Sequence, residues 1–198
     1  MHQTLIPFLL FALSTTFTPG PNNIMVMASG ANFGLRRTVP HMFGIAVGFA
    51  VMVVAVGLGL GGLFARFPVL HEALKWLGGV YLLWLSWKIA SAAGLGSADR
   101  RGRPLRFIEA AAFQWVNPKA WMMAISAFAV YSIADPSTAI AEALTFAAIF
   151  GVICVPSTGA WALFGSALRR LLGNARSLRL FNGALGLLLA ASVLLLFV

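Results

Sequence analysis

The sequence predicts an all-α integral membrane protein of six transmembrane helices, built as two inverted-topology three-helix repeats whose leading helices, the first and the fourth, are broken. Three observations carry that prediction. Of the 198 residues, 60% are hydrophobic and 10% are charged, and the mean hydropathy is +0.90, whereas a soluble domain is about half apolar and a quarter charged. Six long apolar stretches alternate with short polar segments. Proline-containing polar motifs then interrupt the first and the fourth of these stretches. A hydrocarbon core of about 30 Å needs roughly 20 apolar residues per helix, so six spans consume the chain and leave no soluble domain. Residues 1–198 form one membrane domain, with repeats at about 1–92 and 107–198 joined by a linker at about 93–106.

The first stretch, Leu5 to Gly30, contains Thr18-Pro19-Gly20-Pro21-Asn22-Asn23. No Lys or Arg precedes Arg36, so the positive flank of a cleaved signal peptide is missing and the stretch is expected to stay as a helix. Pro19 and Pro21 each remove a backbone donor and crowd the preceding turn, and Gly20 permits dihedrals that other residues avoid, so the helix should unwind here. The second stretch, Val39 to Phe64, carries Gly44-x-x-x-Gly48 and Gly57, Gly59, Gly61 and Gly62, which allow close helix packing. The third, Val69 to Ala92, holds Tyr81 in mid-span, where its hydroxyl needs a partner.

Ala93 to Arg106 is rich in Gly and Arg and reads as a flexible linker. The fourth stretch, Phe107 to Tyr131, begins near Glu109 and is interrupted at Asn117-Pro118-Lys119. Ile140 to Leu168 and Leu178 to Val198 complete the six. The single cysteine, Cys154, lies in an apolar stretch, which excludes an internal disulfide and a cysteine metal cage.

The net charge of +9 would suggest nucleic acid in a soluble protein. Here it orients the chain. Ten of the 14 basic residues fall in or at the edge of the first, third and fifth loops, and the fourth loop holds Asp135 and none. Basic loops stay in the cytoplasm, so both termini are expected on the periplasmic or extracellular side. The arginines need no partner beyond anionic lipid.

Interrupted helices at corresponding positions of two halves point to a transporter binding site near the bilayer midplane. There, freed backbone groups must be satisfied by protein, a wet cavity or a substrate. Lys119 lies near the centre of its stretch, where a lysine costs about 2.5–3.5 kcal/mol on insertion scales and marks a functional site by default. Glu72, Asp99, Glu109, Asp135 and Glu142 all fall in loops or near helix ends. Three readings of Lys119 follow: it holds a substrate carboxylate, it titrates and couples movement to protons, or it rests on carbonyls released at Pro19 to Pro21 and locks the two broken helices together. Around it, Pro19, Gly20, Pro21, Asn22, Asn23, Gln114, Asn117 and Pro118 are the candidate substrate-binding residues. Tyr81 is divided between ligand contact and helix–helix bonding.

Glu109 and His41 join Lys119 as proton-coupling candidates, His41 because its unperturbed pKa is about 6.5; the competing reading is a histidine simply solvated at the interface. With no acid in the middle of the membrane, a small zwitterion or anion suits the cavity better than a cationic side chain. The chain lacks HExxH, paired mid-membrane carboxylates and a phosphate-binding glycine loop, which removes zinc proteolysis and nucleotide hydrolysis. No metal, cofactor or nucleic acid is implied. An intramembrane enzyme or lipid-handling protein using the same cavity, and a passive channel, are the other readings. Glycine-rich faces permit a homodimer.

Three motifs in order, Thr18 to Asn23, the Leu-Gly-Gly-Val-Tyr-Leu-Leu-Trp run at Leu77 to Trp84 with Trp87-Lys88, and Asn117-Pro118-Lys119, resemble the LysE/RhtB family of amino-acid exporters. The resemblance covers essentially the whole chain. It implies a bacterial inner-membrane secondary transporter that exports small amino acids or their derivatives in exchange for protons. The matching positions are Pro19, Gly20, Pro21, Asn22, Tyr81, Asn117, Pro118 and Lys119. Gly79 and Ser86 depart from the common pattern by small swaps. The lysine-exporting branch has an acid in the second helix and this chain has none between Gly44 and Gly62. The tracts Thr18 to Ile24 and Tyr81 to Ala90 look most like the cysteine/O-acetylserine exporter branch, which implies a small neutral substrate.

Overall fold

The computed structural model describes residues 2–92, 103–133, 135, 137–172 and 174–194. Among these residues the chain forms nine α-helices and no strand: α1 (His2–Phe17), α2 (Pro21–Phe33), α3 (Leu35–Ala55), α4 (Gly61–Arg66), α5 (Pro68–Ala90), α6 (Phe107–Phe113), α7 (Pro118–Tyr131), α8 (Ala139–Leu172) and α9 (Ala175–Leu194). Most of the linker at 93–106, including Asp99, Arg100 and Arg101, lies outside the described residues, as does the end of the last stretch at 195–198.

Among the described residues, three segments are long and apolar enough to cross a membrane: Leu35–Leu60, Ala139–Leu172 and Ala175–Leu194. α5 has the length, but Glu72, Lys75 and Lys88 lie along it. The first and fourth apolar stretches are each cut into two helices too short to span alone. Large apolar side chains face outward all over the molecule, among them Val152 at 73% and Leu187 at 74% exposure. Such a surface is stable against lipid and not against water.

Both interruptions have a local cause. α1 ends at Phe17, and α2 restarts with Pro21 at its first position, where a missing N–H costs nothing. Gly20 between them is extended, at φ −174° and ψ 178°, a conformation open to any residue. The second break is a 3-10 turn, Gln114–Val116, then extended Asn117, whose side chain accepts the Lys119 N–H at 3.2 Å and caps α7. Pro118 is again the first helical residue.

Glycines bring backbones together where side chains would hold them apart. A Cβ on Gly44 or Gly48 would collide with Phe107 or Ala111 of α6, and one on Gly30 or Gly165 would strike the facing backbone between α2 and α8. Gly57 likewise meets Phe128 and Ala143. Gly59, Gly61 and Gly62 do not act this way. Gly59 takes φ +105° in the wide turn Val56–Leu60 that ends α3, and Gly62 has open space around it. The expectation of close packing therefore holds for the first glycine of that cluster only.

α8 runs longer than its apolar stretch, 34 residues or about 51 Å. Arg169 and Arg170 lie in its last turn. Arg169 reaches back to the Asn32 carbonyl at 3.3 Å, placing a cation at the C-terminal end of α2, where the helix dipole favours it. Buried apolar residues gather in three clusters, centred on Phe8, Phe49 and Phe150, on Leu82, Phe113 and Leu185, and on Met42, Ile45 and Cys154. All three clusters flank the breaks: Ala120 belongs to the first, Phe113 and Ile24 to the second and Ala110 to the third.

Candidate functional site

Unwinding at Thr18 to Gly20 strands the last carbonyls of α1, and each has a donor. Ser14 O accepts Thr18 N–H at 3.1 Å and Gly20 O accepts Ile24 N–H at 3.0 Å. Thr15 O accepts the Thr18 hydroxyl at 2.8 Å. Thr16 O accepts two, from the Asn23 side-chain amide at 3.0 Å and the Ser157 hydroxyl at 2.9 Å. Phe17 O accepts the Trp161 indole at 3.2 Å, and Thr18 O accepts Asn23 at 2.8 Å and Lys119 at 2.7 Å. Pro19 O takes Lys119 at 3.3 Å. The break is held by side chains from α2, α7 and α8, as an irregular backbone inside a membrane requires.

Lys119 has three ammonium hydrogens and three acceptors: Thr18 O, Thr18 Oγ1 at 2.9 Å, and Pro19 O. Its stem crosses directly over Gly20, where a Cβ would press on Lys119 Cδ. Space for that stem, rather than dihedral freedom, is what Gly20 supplies. Of the three sequence readings of Lys119, the geometry displays the lock between the broken helices. A second tie runs beside it. The Gln114 and Asn22 amides bond reciprocally at 2.8 and 3.1 Å, and Gln114 also donates to Ala110 O at 2.9 Å.

Between the breaks lies a cavity of about 30 Å³, which holds a water or two on the roughly 10–15 Å³ that one water needs. Gly20, Asn22, Asn23, Asn117 and Lys119 line one side. Thr15, Thr16, Cys154 and Thr158 line another, with Ile45, Phe49 and Met123 closing the apolar wall. Thr16 is 8% exposed, and its hydroxyl oxygen has no hydrogen-bond partner. An unpaired buried hydroxyl costs about 1–3 kcal/mol, and this one borders the cavity. The described lining carries one charge, the Lys119 ammonium, and no acid.

Residues 13–197 match the profile of the LysE type translocators. The chain belongs to that family. This LysE type translocator is 35% identical over 183 residues to the cysteine/O-acetylserine efflux protein of Klebsiella pneumoniae subsp. pneumoniae, covering 86% of this chain and 87% of that one. It is 29% identical over 178 residues to the protein of the same name from Escherichia coli strain K12, covering 86% and 87%. For that of Salmonella typhimurium the identity is 29% over 169 residues, covering 82% and 83%. No solved structure matches. The family and the apolar helices make the chain a multi-pass bacterial membrane transporter and not an enzyme, in agreement with the motif resemblance.

In this LysE type translocator the other sequence candidates do not line the cavity themselves. Pro21 and Pro118 start helices, and Pro19 contributes its carbonyl. Tyr81 packs its ring against Trp84 and Phe113, with centroids 5.4 and 5.7 Å away. Glu109 is a surface group: its carboxylate takes the Arg103 guanidinium on both oxygens and caps α6 through Arg106 N–H at 2.8 Å. Hydrogen bonding to Glu109 raises the pKa of exposed Arg103 above its ordinary value. The helix linking Glu109 to Lys119 is interrupted, so the two are not stacked along one axis.

His41 differs from the solvated interfacial histidine that sequence allows. It is 1% exposed on α3, one turn before Gly44, and neither ring nitrogen has a hydrogen-bond partner. Thr16, Thr158, Cys154 and Met123 are cavity residues that sequence reasoning did not select. Thr16 belongs with Thr15 and Thr18 to a run of hydroxyls before Pro19, and Thr158 to a pair with Ser157 in the fifth stretch.

Proposed function

We propose that this chain is a secondary-active exporter of small neutral amino acids or their derivatives, of the cysteine/O-acetylserine type, across the bacterial inner membrane in exchange for protons. The observation that carries the reading is the meeting of the two breaks around one ammonium and a small cavity with an unpaired hydroxyl. A zwitterion supplies what the lining lacks. Its carboxylate answers Lys119, its ammonium takes uncharged oxygens of the first break, and a short side chain faces Ile45, Phe49 and Met123. The 35% identity to a cysteine/O-acetylserine efflux protein supports a substrate of that class.

In this proposal α1 with α2 and α6 with α7 are the broken first and fourth spans, α3, α5, α8 and α9 the other four, and the site lies near the midplane. Packing supports an inverted repeat: α3 lies against α8 and α5 against α9, pairing second with fifth and third with sixth spans. The contact of α1 with α8 has its counterpart in that of α6 with α3. Both termini are periplasmic, by the arginine-rich loops. Lys119 is the proton-coupling group, since Glu109 is engaged at the surface and His41 lies off the cavity.

The test is efflux from proteoliposomes loaded with labelled cysteine, O-acetylserine, threonine, leucine or lysine, with and without an imposed pH gradient. Gradient-dependent efflux of a neutral amino acid, with lysine retained, is expected. Gradient-independent flux without competition would make the protein a channel and end the proposal.

A further inference from the structure

We propose that Thr18 O, Thr18 Oγ1 and Pro19 O form a subsite for a primary ammonium, which Lys119 fills from within and which the substrate's α-ammonium takes over on binding. This deepens the transport reading above and rests on it. The three oxygens hold Nζ at 2.7, 2.9 and 3.3 Å, one for each hydrogen of an R–NH3⁺ group. The α-ammonium of an amino acid presents the same three donors. The oxygens carry no formal charge, so the subsite recognises donor geometry, and two ammonium ions cannot share it. The flexible Lys119 stem lies over Gly20 without a Cβ to hinder its withdrawal.

The exchange also selects its ligand. Once displaced, Lys119 keeps its charge only if a counter-charge arrives with the ligand, because its lining has no described acid and an ammonium left without a partner in a membrane protein sheds its proton instead. A substrate with a carboxylate beside its ammonium supplies the counter-charge as it evicts Nζ. An amine without a carboxylate leaves Lys119 unpaired, and an acid without an ammonium has nothing to put in the subsite. The ligand class is therefore an α-amino acid with both groups free. A tethered occupant acts at an effective concentration of mM or more, so a simple amine competes poorly with it.

The chain has three lysines, Lys75, Lys88 and Lys119, so protein labelled with 13C at lysine Cε gives three resonances, with Lys119 assigned by its loss in Lys119→Arg. In wild-type protein in nanodiscs, cysteine should shift the Lys119 resonance, and neither cysteamine nor 3-mercaptopropionate should. In Lys119→Ala, n-propylammonium replaces the missing stem and head. It should bind about tenfold or more tightly than to wild type, whereas propanol should not bind. If Lys119→Ala fails to fold, the wild-type spectra decide alone. A Lys119 resonance unmoved by cysteine in protein that exports cysteine would overturn the proposal, as would an equal response to 3-mercaptopropionate. Propylammonium binding by Lys119→Ala, with no amino acid exported by wild type, would leave the subsite standing and remove the transport reading.

Discussion

The Thr16 carbonyl, with two side-chain donors where one suffices, makes a stability prediction that can be worked through. Asn23→Leu keeps the volume and excludes water, and removes the bonds to Thr16 O and Thr18 O. Thr16 O keeps Ser157 and Thr18 O keeps Lys119, so no carbonyl is orphaned. The expected cost is two net hydrogen bonds, about 1–3 kcal/mol in water-referenced terms and nearer 1 kcal/mol on membrane double-mutant averages of about 0.6 each. Ser157→Ala alone removes one bond, about 0.6–1 kcal/mol on the same bases. Together the two changes strip Thr16 O of both side-chain donors, adding the desolvation penalty of a bare carbonyl, about 1–3 kcal/mol. Unfolding of wild type, both singles and the double in detergent, followed by helix content, yields the coupling energy. Additivity within about 0.5 kcal/mol would refute the view that side chains hold this break together.

Gly165→Ala places a methyl against the Met27 backbone and should destabilise by about 1–3 kcal/mol, while Gly62→Ala, with nothing within 4 Å of the new Cβ, should be near neutral; thermal melts of the pair check both. Gln114→Leu leaves the Asn22 amide without its partner and should cost about 1–3 kcal/mol and slow efflux, read in the same melts and in proteoliposomes. Glu109→Gln breaks an exposed ion pair worth about 0–1 kcal/mol, so both the melt and the pH-gradient dependence of efflux should stay close to wild type.

The breaks were legible in the sequence because proline and glycine act locally: Pro21 and Pro118 start helices wherever the chain goes next. The apolar stretches were legible for the same reason, lipid being a uniform solvent that composition alone can sense. What sequence withheld is what tertiary contact decides. Gly20 and Gly59 exchange their expected roles, since only the neighbouring Lys119 stem makes the first a matter of space and only the end of α3 makes the second a matter of φ. Glu109 stands near the start of the fourth stretch as a proton-coupling candidate until Arg103, from the end of the linker, folds back onto it. His41 stands near the start of its stretch, yet packing buries both its nitrogens. Thr16 is one of several hydroxyls in a polar run; only the fold shows that Thr15 and Thr18 find carbonyls and Thr16 does not.

The central claim is that the two breaks form the transport site around Lys119. Its most direct test compares efflux of cysteine and O-acetylserine from proteoliposomes carrying wild type or Lys119→Ala, with the variant shown to be folded by helix content and monodispersity. Loss of gradient-dependent efflux in the folded variant is the expected result, and efflux at the wild-type rate would contradict the account.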